Sequence, residues 1–261
     1  MFKERTLSAL VFAPLVASAF YVGDWYFLAL IAAVAILAGR EYAALIRATG
    51  VTVEPLFAAV CAAVAVSGHF SGPFNFVTAL AGGALVLLSL SIWRGSFPSA
   101  MYALSGMMYI GGLLGCLTSL RSGDDGRAWS LIVLAATWAT DVGAYLGGIT
   151  FGRHKMAPSI SPGKSWEGAV SGVVLSTAAG ALTSRYLGIS MGFGVLAGFL
   201  LSVLAELGDL VESLLKRYAQ VKDSGKVMPG HGGALDRFDS LLFTGAGGLL
   251  LRSLYRMIFI Q

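Results

Sequence analysis

Nine long apolar runs follow one another along the chain with only short breaks between them. A helix needs roughly 20 apolar residues to cross a bilayer, where its backbone groups must be hydrogen-bonded internally. The runs cover approximately 7–22, 25–46, 54–70, 74–92, 101–120, 129–150, 167–187, 190–214 and 240–259. The breaks contain Gly, Pro or charged residues, which tend to end helices. The sequence therefore predicts an all-α polytopic membrane protein with about nine transmembrane helices.

The composition agrees with this class of protein. Charged residues make up only 12% of the chain, against about 25% in a typical soluble domain. The net charge of +4 is modest, and in a membrane protein such an excess marks cytoplasmic loops and contacts with anionic lipid. We therefore expect membrane lipids, and not nucleic acid, as partners. Cys61 and Cys116 both lie in apolar runs and are interpreted as packing residues, not as a disulfide or a metal pair.

The N-terminus has two interpretations. Its charged start, short apolar run and Ala17-Ser18-Ala19 are typical of a cleaved signal peptide. Because a second apolar run follows almost at once, we favour an uncleaved first transmembrane helix.

The distribution of basic residues predicts an orientation. With a cytoplasmic N-terminus and nine spans, 13 of the 18 Lys and Arg residues lie inside, as the positive-inside rule requires. The two most charged loops, 151–166 and 215–239, then face the same compartment. We divide the chain into N-terminal transmembrane helices (1–128) and a C-terminal transmembrane catalytic region (129–261) that carries both loops. The expected location is a cell's inner membrane, with the active site facing the cytoplasm.

A polar face runs along the apolar segment 205–217. Its members follow at spacings of three, four and three, which places them on one side of a helix, with Glu212 beside them: Glu206, Asp209, Ser213 and Lys216. Acids within an apolar run are costly in lipid and usually face a wet cavity or a partner. A helix end that emerges into water is the alternative.

The following loop concentrates charge and glycine. The 24 positions from Lys216 to Asp239 hold 8 of the chain's 32 charged residues. Gly232 and Gly233 allow backbone N–H groups to approach an anion closely. Asp209 and Asp236, on separate segments, could bind Mg²⁺, which takes few protein carboxylates and leaves other positions to water and phosphate. Five cations would face the phosphates: Lys216, Arg217, Lys222, Lys226 and Arg237. A solvated, charged loop is the alternative.

The loop 151–166 holds a second group of residues that commonly bind anions: Arg153, His154, Lys155, Ser159, Ser161, Lys164 and Ser165. Ser165 is also a candidate N-cap for the next helix, with Glu167 in its first turn. His154 and His231 could each be a general acid or a hydrogen-bonding loop residue. Asp141, midway along its apolar run, is expected to be buried in the bundle and is a further candidate substrate-binding residue.

The segment "GREY" at 39–42 gives a weaker signal. Arg40 and Glu41 stand at the end of the second apolar run. We interpret them as an interfacial ion pair.

One stretch resembles a known family. "SLLKRYAQVKDSGKVMPGHGGALDRFD" at 213–239 is similar to the signature of phosphatidate cytidylyltransferases, also called CDP-diacylglycerol synthases. The pattern is S-x-x-K-R-x4-K-D, a spacer with glycine, P-G-H-G-G and D-R-x-D. The upstream segments "DVGAY", "FGRHK", "SISPGKSWEG" and "GDLVES" also resemble the family, with Ser165 where threonine is expected. The similarity is strong over about 141–240.

The resemblance implies a reaction, a cofactor and a set of residues. CTP and phosphatidate would react to CDP-diacylglycerol and pyrophosphate, as a step of phospholipid synthesis. Asp209 and Asp236 would be metal ligands and, with Lys216, Arg237 and His231, the catalytic residues. Asp223, Asp239 and Glu212 are further candidate ligands. The family uses Mg²⁺, and K⁺ is a candidate second ion.

Two other functions remain open at this stage. A CTP-dependent lipid kinase would share the nucleotide but transfer the γ-phosphate. An ion-coupled transporter would use Asp141 and Asp209 as ion sites, although transporters commonly show related halves and the charge here is concentrated in one half. The oligomeric state stays open too, with a homodimer as one option.

Overall fold

The structure is a computed structural model that describes residues 2–72, 75–225 and 232–259. Over these residues the chain is almost entirely helical. The helices are α1 (Phe2–Val22), α2 (Asp24–Ala48), α3 (Phe57–Ser67), α4 (Phe76–Arg94), α5 (Phe97–Gly106), α6 (Leu113–Arg121), α7 (Gly126–Phe151), α8 (Trp166–Tyr186), α9 (Met191–Tyr218) and α10 (Leu235–Phe259). A π-helical turn, Met107–Gly112, joins α5 to α6. The predicted all-α fold is confirmed, and the sequence analysis did not predict the one short hairpin, β1 (Lys155–Ala157) and β2 (Ser161–Ser165).

Local signals in the sequence set the helix boundaries. Gly23, with φ 79°, separates α1 from α2 in a conformation that glycine adopts readily. Asn75 accepts a hydrogen bond from the Thr78 N–H at 3.1 Å and so caps α4. Gly95, in the left-handed conformation, ends the same helix.

Five helices of the described chain are long and apolar enough to cross a membrane. They are Asp24–Ala48, Phe76–Trp93, the joined rod Phe97–Arg121, Gly126–Phe151 and Met191–Tyr218. The protein is thus an integral membrane protein by length and composition of its helices. Helix α3 has only 11 residues, about 16 Å at a rise of about 1.5 Å per residue. It is shorter than the predicted run 54–70, because the helix starts only after Pro55 and ends at Gly68.

The chain forms two compact units. The first comprises residues 1–122 and 215–238. In it, Phe20 and Phe27 pack edge to face with ring centroids 4.9 Å apart. The Arg121 side chain donates to the carbonyl of Phe20 at 3.0 Å and so ties the end of α6 to α1.

The second unit comprises residues 123–214 and 239–261. Its helices approach closely through glycine. A Cβ at Gly143 would lie 2.7 Å from the Ser171 carbonyl oxygen, and one at Gly208 would lie 2.6 Å from that of Asp239. Small residues of this kind allow helix backbones to pack in lipid. The predicted division at residue 128 concerns function, not packing, and stays a prediction.

Candidate active site

The hairpin places a lysine on the acidic face of α9, within the second unit. Lys164 Nζ lies 2.5 Å from Glu206 Oε2 and 2.9 Å from Asp209 Oδ2. The Ser213 hydroxyl donates to the other oxygen of Asp209 at 3.2 Å. The predicted polar face of α9 is therefore confirmed. The ammonium group of Lys164 lies between the carboxylates of Glu206 and Asp209.

The charge of this cluster is set by its surroundings. Burial lowers the pKa of Lys164, but the nearby charges of Asp209 and Glu206 outweigh it, so its pKa is raised. Lys164 therefore stays protonated at neutral pH. Two carboxylates and one ammonium leave a net negative charge, and the Asp209 side chain is still 37% exposed. Such a carboxylate can accept a further cation.

The first turn of helix α8 holds both ends of the hairpin loop. The Ser165 hydroxyl accepts a hydrogen bond from the Gly168 N–H at 3.2 Å, so the predicted N-cap is confirmed. The Glu167 carboxylate accepts the Arg153 N–H at 3.0 Å and contacts His154 Nδ1 at 2.5 Å. Glu167 therefore holds the first residues of the loop through these contacts, a role that the sequence analysis did not predict.

The remaining anion-binding residues of this loop differ in exposure. Arg153, Lys155 and Ser159 are exposed, Ser161 is half-buried and Ser165 is buried. The exposed side chains can reach a ligand in solution, whereas Ser165 serves the helix.

Described residues of the signature segment surround Asp236, within the first unit. Asp236 Oδ1 accepts from Lys216 Nζ at 2.7 Å. Asp236 Oδ2 accepts from the Ser224 N–H at 3.0 Å, the Ser224 hydroxyl at 2.8 Å and the Gly233 N–H at 2.8 Å. Both side chains of the ion pair are mostly buried, with 13% of Lys216 and 7% of Asp236 exposed. Asp236 and Lys216, 20 positions apart in sequence, are thus brought together.

Glu41 completes this arrangement, and its predicted role is wrong. We expected an interfacial pair with Arg40, but Arg40 is exposed and Glu41 is buried. The Glu41 carboxylate accepts from the N–H groups of Ala234 at 2.9 Å and Leu235 at 2.8 Å. Neighbouring positions on a helix point about 100° apart, and here Arg40 lies on the exposed side of α2 and Glu41 on the buried side.

The glycines of the segment serve this packing. Gly232 has φ 81°, and a Cβ there would lie 2.6 Å from an Asp236 oxygen. A Cβ at Gly233 would lie 2.3 Å from the Ser224 hydroxyl. The backbone here approaches the chain's own carboxylates, and its approach to a bound anion stays a prediction.

Comparison with known proteins decides the family. The model of the cytidylyltransferase family matches residues 3–254. The chain belongs to this family. A phosphatidate cytidylyltransferase of Staphylococcus aureus (strain COL) is 32% identical, over 92% of this chain and 95% of that protein. One of Synechocystis is 34% identical, over 92% and 93%, and the chloroplastic phosphatidate cytidylyltransferase 4 of Arabidopsis thaliana is 34% identical, over 94% and 71%.

Family membership confirms the resemblance and extends it. The motifs made the similarity strong over about 141–240, whereas the family match also covers the N-terminal helices, including α2 with Glu41. The N-terminal part therefore belongs to the same family module as the signature.

Several predicted site residues remain to be placed. Arg217, Lys222, Asp223 and Arg237 are exposed. Glu212 is fully buried and Asp239 is half-buried. Lys226 and His231 lie outside the described residues.

Asp141 is exposed, so the prediction that it is buried is wrong. The side of α7 that carries Gly143 and Gly147 packs against Ser171 of α8. Asp141 lies about 200° around the helix from Gly143, at about 100° per residue. The contact between α7 and α8 therefore lies on the face of α7 opposite Asp141.

The metal prediction can be compared with the chemistry of the donors. Among the described residues, no group of three or more His, Cys, Asp or Glu side chains could hold a metal ion. Asp209 and Asp236 belong to different units, and each contacts a lysine. Hard carboxylate oxygens that bind an ammonium group are also the ligands Mg²⁺ prefers. The two aspartates fit this ion by type, and their joint role stays a prediction.

Proposed function

We propose that the protein transfers a cytidylyl group from CTP to phosphatidate, giving CDP-diacylglycerol and pyrophosphate. The observation that carries this proposal is the family match over residues 3–254, with relatives named phosphatidate cytidylyltransferase. The signature residues Lys216 and Asp236 form a buried ion pair, which supports a functional interpretation of the segment.

The chemistry suits a site without a strong base. A phosphate oxygen of phosphatidate forms a bond to the α-phosphorus of CTP. The bond from that phosphorus to the bridging oxygen breaks, and pyrophosphate leaves with the electron pair. Because the nucleophile is already an anion, the site must chiefly bring two anions together and stabilise the leaving group.

The described cations of the loops 151–166 and 215–239 divide into two sets under this proposal. Arg153, Lys155, Arg217, Lys222 and Arg237 are exposed and would bind the phosphates. Lys164 and Lys216 are held in position by carboxylates. A substrate phosphate that binds these lysines would replace a carboxylate as their anionic partner. Lys226, Gly232, Gly233 and His231 are further proposed site residues on sequence grounds.

We propose Mg²⁺ as the cofactor, with Asp209 and Asp236 as ligands. Asp223, Asp239 and Glu212 are the other candidate ligands, and K⁺ is the candidate second ion. The bound cation would neutralise charge on the transferred group and on pyrophosphate. Support comes from donor chemistry: each aspartate already contacts a cationic nitrogen, 2.9 Å away for Asp209 and 2.7 Å for Asp236.

We also propose the orientation in the membrane. Nine spans and a cytoplasmic N-terminus would place 13 of 18 Lys and Arg residues inside. The membrane would be a cell's inner membrane, with the loops 151–166 and 215–239 on its cytoplasmic side. This arrangement suits a soluble nucleotide and a lipid that meet at one interface.

The test is pyrophosphate release by purified protein in detergent with CTP, phosphatidate and Mg²⁺. We expect release only when both substrates are present. Release of nucleoside diphosphate instead would indicate a lipid kinase. Solute flux in liposomes without nucleotide, in the absence of pyrophosphate release, would indicate a transporter.

A further inference from the structure

The buried carboxylate of Glu41 caps the helix that carries Asp236. Only 6% of Glu41 is exposed. Leu235 is the first residue of α10, and the first N–H groups of a helix have no partner within it. Glu41 accepts the N–H groups of Ala234 and Leu235 at 2.9 and 2.8 Å. A negative charge at this end of a helix is also favoured by the helix dipole.

A single hydroxyl connects this cap to the ion pair. The Ser224 hydroxyl lies 3.1 Å from Glu41 Oε2 and 2.8 Å from Asp236 Oδ2. Asp236 in turn accepts from Lys216. Direct contacts therefore link Glu41 through Ser224 to Asp236 and Lys216.

Two glycines lie close to the Glu41 carboxylate. A Cβ at Gly225 would lie 2.4 Å from Glu41 Oε1, and a Cβ at Gly233 would lie 2.4 Å from Glu41 Oε2. Gly225 and Gly233 therefore fit closely against the Glu41 carboxylate.

We propose that Glu41 is a positioning residue of the active site. It holds Ser224 and residues 233–236 so that Asp236 and Lys216 keep the geometry that the reaction needs. The N-terminal helices would then supply part of the site, in addition to crossing the membrane. The kinetic part of this inference rests on the proposed function, whereas the structural part does not.

The test compares Glu41→Gln with Arg40→Gln, the adjacent exposed position on the same helix. A carboxamide has one acceptor oxygen, and its NH₂ group would face a backbone N–H. We expect kcat to fall about 10- to 100-fold in Glu41→Gln, with KM for both substrates within about threefold. Arg40→Gln should match the wild type. Glu41→Asp, which keeps the charge, should recover part of the lost kcat.

Amide hydrogen exchange tests the contact itself. In Glu41→Gln, the amides of Ala234 and Leu235 should exchange faster, while the amides of α2 do not change and the protein remains folded in detergent. Unchanged exchange at these two amides would overturn the proposal. So would an unchanged kcat, or a loss of kcat that only follows a loss of folded protein. If the wild type transfers no cytidylyl group, the proposed function fails, and the exchange measurement alone decides the role of Glu41.

Discussion

Lys164 Nζ lies 2.9 Å from Asp209 Oδ2 and joins the hairpin to the acidic face of α9. The contact brings together two residues that the sequence separates by 45 positions. It links a loop rich in cations to a candidate metal ligand, which is the combination that phosphoryl chemistry requires.

Removal of the proposed phosphate-binding cations should lower activity. Lys164→Ala and Arg237→Ala should each reduce kcat/KM by about 100-fold or more, if each stabilises charge in the transition state. Arg237 is exposed, so its loss should leave packing intact. Steady-state kinetics in detergent measure both.

Arg185→Ala is the matched control, because Arg185 is exposed at the far end of α8. Arg121 is less suitable, since its side chain holds the carbonyl of Phe20. Equal losses in all three variants would mean that the effect is on folding and not on phosphate binding.

Gly233→Ala should disrupt the signature segment. The new Cβ would lie 2.3 Å from the Ser224 hydroxyl and 2.4 Å from Glu41 Oε2, so both side chains must move. We expect a loss of activity of about tenfold or more, because small displacements of catalytic groups are costly. Gly82→Ala, where nothing lies within 4 Å of the added Cβ, should keep normal activity. Equal activity of the two variants would exclude a tight fit at Gly233.

The two charged loops should be accessible from one side only. Cysteines at the exposed positions Ser159 and Lys222, in a chain with Cys61 and Cys116 replaced by Ala, should resist an impermeant maleimide added to intact cells. Both should be labelled in inverted vesicles. Labelling of one loop in intact cells, with the other protected, rules out a site built from both.

Asp209→Asn and Asp236→Asn should each nearly abolish turnover, since a carboxamide keeps the shape but lacks the charge that a hard cation needs. The losses should be strongly non-additive if both residues bind one ion. Their effects on folding should differ. Breaking the buried Lys216–Asp236 pair should cost about 3–5 kcal/mol, whereas Asp209, at 37% exposure, should cost about 0–1 kcal/mol.

Thermal unfolding in detergent and Mg²⁺ titration of activity separate the two effects. Excess Mg²⁺ should partly rescue a single variant but not the double variant. Two folded asparagine variants with most of their activity retained would show that the metal assignment is wrong, even though the family assignment stands.

Local patterns allowed much of this site to be predicted. The spacing of Glu206, Asp209 and Ser213 fixes one face of a helix whatever surrounds it, and Ser165 before an apolar run is a local capping signal. Signals of this kind depend on neighbours in sequence. The structure therefore retains them.

Features that depend on distant partners could not be predicted. Glu41 meets Ser224 and Leu235 across more than 180 positions, and nothing beside it in the sequence indicates this contact. The exposure of Asp141 depends on which face of α7 packs against α8. Gly143 and Gly147, two and six positions later, set that face. Hydropathy alone treats α3 like a full span, although its helix is only 11 residues long.

The fate of labelled CTP tests the central claim most directly. Purified protein is given phosphatidate and CTP that carries ³H in the cytidine and ³²P in the γ-phosphate. Cytidylyl transfer predicts ³H in the lipid product, all ³²P in released pyrophosphate, and one pyrophosphate formed per labelled lipid. Lipid that contains ³²P and no ³H would contradict the account and show transfer of the γ-phosphate instead.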